Sequence, residues 1–93
     1  HHQTTMETAM RRISKAMNNV LVETTRATLS YWIDRAATVA SLMEGESKQF
    51  LFNQVTCEFE NICETTLNRN ILSPAEVNDH RRRFYDTQLK QSA

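Results

Sequence analysis

Glu23-Thr24-Thr25-Arg26-Ala27-Thr28 decides how many helices this chain has. The segment is dense in threonine, whose β-branched side chain is stiff and whose helix propensity is modest. It separates two apolar seams. Before it, Met6, Met10, Ile13, Met17, Val20 and Thr24 recur at four-three spacing; from within it onward, Thr25, Leu29, Trp32, Ala36, Val39 and Met43 do the same. At 100° per residue the second seam lies roughly 100° round from the first, opposite to the slow drift of a heptad repeat on a straight helix. One flat partner cannot cover both. An unbroken helix of about forty residues is about 60 Å long, twice the roughly 30 Å diameter of a globule of this size. Its overhang would need covering by helices two and three folding back along it, or by another chain. A break at the threonines gives instead four segments of about 17 to 22 residues, each about 30 Å long, the dimensions of an up-down bundle. The expected fold class is all-α: a small bundle of three helices with a long, kinked or broken first helix, or a four-helix up-down bundle if the break falls between Thr24 and Thr28.

Punctuation outside this segment is sparse and informative. The only Gly and the only Pro stand at expected helix boundaries. Ser73-Pro74-Ala75-Glu76 combines a serine cap, proline at the first helical position and a glutamate able to reach back, and Leu72 can staple onto Val77. It predicts a helix from about Pro74 to Lys90. Gly45 fits the left-handed position after a helix, with Ser47 as the expected cap of the next. From Lys48 to about Asn68 one stripe of Phe52, Val55, Phe59, Ile62, Cys63 and Thr66 predicts an amphipathic helix, with Phe50 and Cys57 off the stripe. Thr4-Thr5-Met6-Glu7 reads as a capping box for the first helix.

Composition bounds the function. The chain has 93 residues, 40% of them hydrophobic and 24% charged, with eleven basic side chains balancing eleven acidic ones. That balance fits a soluble globular domain and neither disorder nor strong electrostatic steering toward nucleic acid. So little glycine excludes a Gly-rich phosphate cradle, and so little turn chemistry excludes a β-sandwich. His1 and His2 read as tag residues, leaving 1–3 as tag or linker and 4–93 as one helical domain. No apolar leader is visible, and runs such as Val20-Leu21-Val22 are far short of the roughly 20 residues that span a bilayer. Cys57 and Cys63 would sit about 120° and roughly 9 Å apart on one helix, too far for a disulfide. Free thiols and the lack of a glycosylation sequon point to an intracellular protein.

Few constellations carry chemistry. His80 is the only imidazole outside the two terminal histidines, and no triad, cysteine–histidine or paired-carboxylate pattern accompanies it. It reads as a surface residue, Glu60 and Glu64 read as solvated, and no short zinc-type spacing joins Cys57, Cys63 and His80. Neither catalytic residues nor a metal or other cofactor are expected. His80-Arg81-Arg82-Arg83 is the one dense charge run. Arg81, Arg82 and Arg83 could contact phosphate or an acidic partner, although Asp79 four before Arg83, and Arg82 four before Asp86, would partly neutralise the run. Arg81 also falls near Val77 and Phe84, where it could snorkel. Arg11 and Arg12 make a smaller patch near Glu7.

The surplus seam weighs most. Met6, Met10, Ile13, Met17 and Val20, with Tyr31 and Leu42 on the same flank, form a methionine-rich face adaptable to a partner. The expected function is a non-enzymatic helical interaction, oligomerisation or scaffold module, with a protein partner in a homo- or hetero-oligomer. The alternative is a regulatory nucleic-acid-binding or adaptor domain using the basic cluster from His80 to Arg83; zero net charge argues against nucleic acid, and no membrane partner is expected.

Overall fold

The computed structural model describes residues 2–42 and 44–92, with side chains described for 5–42 and 44–89. His1 of the expected tag and Met43 of the second seam lie outside them. The chain forms α1 (His2–Leu42), α2 (Gly45–Asn68) and α3 (Pro74–Ser92). The all-α, three-helix expectation therefore holds, and its four-helix variant does not: α1 is one unbroken helix of 41 residues. Within the unbroken helix the Thr25 and Thr28 hydroxyls are satisfied by carbonyls one turn back. Thr25 Oγ1 donates to the Leu21 carbonyl at 2.7 Å and Thr28 Oγ1 to the Thr24 carbonyl at 2.8 Å. Thr25 and Leu29 are buried, so the packing crosses the suspected break and keeps it helical.

α2 turns back at Gly45 and runs antiparallel to α1, ending where Ile62, Thr66 and Ile71 meet Leu21 and Thr25. α3 starts beside Arg26 and runs parallel to α1. Both cover the C-terminal half of α1, while every described side chain from Thr5 to Leu21 is exposed. The molecule is accordingly 67 × 21 × 17 Å, with a radius of gyration of 18.2 Å, against about 12 Å for a compact globule of this length.

The reason the cover stops is legible along the helix. Thr25, Leu29, Ala36 and Ala40 are the buried line of α1. Continued toward the N-terminus at 100° per residue, that line meets Asn18, Ser14, Arg11 and Glu7. Nothing apolar remains there for α2 or α3 to bury. Phe52, Val55, Phe59 and Cys63 of α2, with Leu72, Val77 and Phe84, complete the core, and Phe59 stacks on Phe84 with ring centres 4.2 Å apart. The stripe expected for α2 is thus the buried one, while Phe50 and Cys57 are exposed.

The helix ends depart from expectation in three places. α1 begins at His2, so Thr4 and Glu7 lie inside it rather than capping it. Gly45 takes the left-handed conformation, with φ of 75°, but opens α2 directly. Ser47 is therefore inside the helix, and Glu44 holds the cap position without a side-chain bond. At α3 the Glu76 amide donates to Ser73 Oγ at 3.2 Å, and Leu72 and Val77 are both buried as the staple requires. Only half of the box forms there, because the Glu76 carboxylate turns to Arg26 instead. The end of α2, unmarked by glycine, is closed by Asn70 at φ 55°, with the Ile71 amide donating to the Thr66 carbonyl at 3.0 Å.

Candidate partner interface

The methionine seam projects from the part of α1 that the bundle leaves bare. Met6, Met10, Ile13, Met17 and Val20 are 59 to 67% exposed, and every described residue from Thr5 to Leu21 is exposed. Tyr31 continues the face over the bundle. It is half exposed, packs edge-on against Trp32 at 5.3 Å and lies under the Arg35 guanidinium. The structure thus brings all six expected interface residues onto one side of one helix. Leu21 belongs with them and was not singled out from the sequence, because it stands one step off the four-three spacing; it lines a groove of about 300 Å³ between α1 and the end of α2, beside Thr28, Ile62 and Ile71. An apolar face of this length, unbroken by charge along its centre, is what a partner helix packs against.

The basic run is arranged quite differently. His80 is buried, not a surface residue, and cannot meet a partner: its Nδ1 lies 2.9 Å from the Glu76 carbonyl oxygen, which only accepts, so the ring donates there. Arg81 grips Glu60 of α2 through Nη2 at 2.9 Å and Nε at 3.2 Å rather than snorkelling free over Val77 and Phe84. Glu60 also accepts from the Tyr85 hydroxyl at 2.8 Å, so it is an inter-helix anchor and not the solvated glutamate expected. Arg83 Nε meets Asp79 at 3.4 Å, the expected pair, whereas Arg82 bonds to Asp79 and not to Asp86. All three arginines expected to reach phosphate or an acidic partner are thus engaged with the chain's own carboxylates. By contrast Arg11, Arg12 and Lys15 enter none of the ion pairs among the described residues, and the expected proximity of Glu7 produces no bond.

Electrostatics follow the packing. Burial pushes the Cys63 thiol up to about 11, against the pull of the nearby Arg81. Tyr85 is pushed up to about 12, first by burial and then by its bond to Glu60. Arg26 holds Glu76 below the usual carboxylate range by hydrogen bonding, and the Glu60 bond raises Arg81. Cys57 and Cys63 are both free, one exposed and one buried. A buried thiol with a raised pKa is a packing residue, not a nucleophile. Among the described residues no three His, Cys, Asp or Glu side chains converge as metal ligands, and no helix is long and apolar enough to cross a membrane.

No protein-family model matches this chain, and neither a curated protein nor a solved structure matches it.

Proposed function

We propose that this protein is an intracellular, non-enzymatic interaction module that works by burying the methionine face of α1 against a protein partner. One observation carries the reading: Met6, Met10, Ile13, Met17 and Val20 stand exposed along the N-terminal half of α1, outside the part that α2 and α3 cover. A helix stripped of tertiary packing is only marginally stable in water, because most helical stability in proteins comes from burying an amphipathic face. This segment's seam is apolar enough to bury, and the polar line of Glu7, Arg11, Ser14 and Asn18 beside it keeps the extension soluble until it does so. The bundle of α2 and α3 then acts as the anchor that nucleates and orients the extension.

Methionine oxidation footprinting tests this. Exposed thioethers oxidise readily and covered ones do not, so Met6, Met10 and Met17 are compared in dilute purified chain and in extract of the cells it comes from. Protection in the extract, lost when Met10→Glu and Met17→Glu are combined and the remaining Met6 is followed, is the expected outcome. Equally fast oxidation in both settings refutes the proposal.

A further inference from the structure

The geometry points to a second copy of this chain as the occupant of the methionine face, bound antiparallel across a two-fold axis between Met17 and Val20. The inference rests on the association reading above and adds the partner, the orientation and the residue pairs.

The seam is self-complementary over its whole length. Its four-three spacing runs on without a break through Thr24 and Ala27 to Tyr31, giving one set of alternating positions from Met6 to Tyr31. A repeat of 3.5 residues pairs with another such repeat, knob into hole. Antiparallel, Met17 meets Val20 of the second copy, Ile13 meets Thr24, Met10 meets Ala27 and Met6 meets Tyr31, where a thioether on an aromatic ring is a favourable contact. Each bundle then lies at an opposite end. The second copy's Met10 comes level with the groove between α1 and α2 that Leu21, Thr28, Ile62 and Ile71 line, so the trough of about 300 Å³ gains an apolar filler.

The area is adequate for such a pairing. The shared stretch is about 39 Å long and a helix face is about 10 Å wide, some 400 Å² on each copy before side-chain relief is counted. With that relief the pair reaches the order of 1,000 Å² that a specific interface needs. Ala9 and Ala16 on the flank allow the two helices to approach closely.

Charge selects the orientation. Arg12 and Glu23 stand on the same flank of α1, on either side of the seam's centre. Arg12 has no ion pair among the described residues, and the Glu23 side chain is 71% exposed, touched only by Arg26. The antiparallel arrangement sets Arg12 of each copy within about 3 Å, along the axis, of the other's Glu23, and the two-fold makes the pair twice. A parallel arrangement in register has its two-fold along the helices, which puts Arg12 of one copy and Glu23 of the other on opposite flanks and eleven residues apart in height, so the pair cannot form.

The test uses the whole purified chain. Light scattering on a sizing column is expected to give twice the chain mass, and both Arg12→Glu and Glu23→Arg alone are expected to weaken the dimer by about tenfold or more. The double reversal is expected to recover most of that loss, with unchanged circular dichroism throughout because both positions are exposed. Orientation is read separately in a Cys57→Ser background by mixing Met6→Cys with Tyr31→Cys chains. Disulfide cross-links are expected only in the mixture. A cross-link within the Met6→Cys chains alone, single reversals without effect, or failure of the double reversal each overturns the proposal. A purified chain that stays monomeric overturns it too; if footprinting in extract still shows protection, the association reading survives with a different partner, and if it shows none, both fall.

Discussion

Phe84→Ala removes the side chain on which the small core turns. Phe84 is fully buried and stacks on Phe59 of α2 at 4.2 Å with the rings 11° apart, so truncation opens a cavity between two helices that also face α1. Phe-to-Ala changes at such sites cost about 3 to 5 kcal/mol, the lost transfer energy plus the cavity. The bundle has little to spare. Residues 5–21 are exposed throughout and bury little, so the remaining seventy or so carry the stability, and at about 0.05 to 0.15 kcal/mol each they hold roughly 4 to 11 kcal/mol. The variant should lose a third or more of that. Urea unfolding followed by Trp32 fluorescence, which reports the bundle and not the extension, should show the midpoint falling by roughly 2 M at an ordinary slope. Phe50→Ala is the control. Its ring is 62% exposed, so the same chemical change should stay within about 0.5 kcal/mol. A Phe84→Ala loss below about 1 kcal/mol, or equal losses at the two positions, would refute the placement of the core.

Ser73→Ala should cost about 1 kcal/mol in the same urea assay, because it removes the acceptor of the Glu76 amide at the start of α3; an unchanged midpoint would show that the cap is dispensable. A thiol-reactive disulfide reagent should modify Cys57 quickly in the folded chain and Cys63 only on unfolding, with two free thiols titrated in all; fewer than two in unreduced, unfolded chain would contradict this. Raising the pH should destabilise the bundle through Cys63 and Tyr85. Both keep their protons to a higher pH folded than unfolded, so their contribution is complete below about 9 and is lost as pH rises through about 11 for Cys63 and about 12 for Tyr85. Unfolding midpoints measured from neutral pH upward should therefore decline more gently in Cys63→Ala, and identical slopes in the two proteins would exclude the thiol as a source.

The parts of this protein legible in its sequence are those set by neighbours along the chain. The buried stripe of α2 from Phe52 to Thr66 could be read because helical spacing alone aligns those residues, and the Ser73 cap because capping needs only the next three residues. The rotation between the two seams of α1 was equally visible. What spacing along the chain could not decide was which carboxylate meets which guanidinium across helices. Glu76 looked like a capping residue and Glu60 like a solvated one until packing brought Arg26 and Arg81 to them. Packing also drew His80 inside, since α3 rests on both other helices. The continuity of α1 through Thr24 to Thr28 was a tertiary decision as well. Modest local propensity there is outweighed by the burial of Thr25 and Leu29 beneath the returning helices. The same packing leaves the first seam open: α2 and α3 cover α1 only as far as it offers apolar surface in their direction, and below Leu21 that direction is polar.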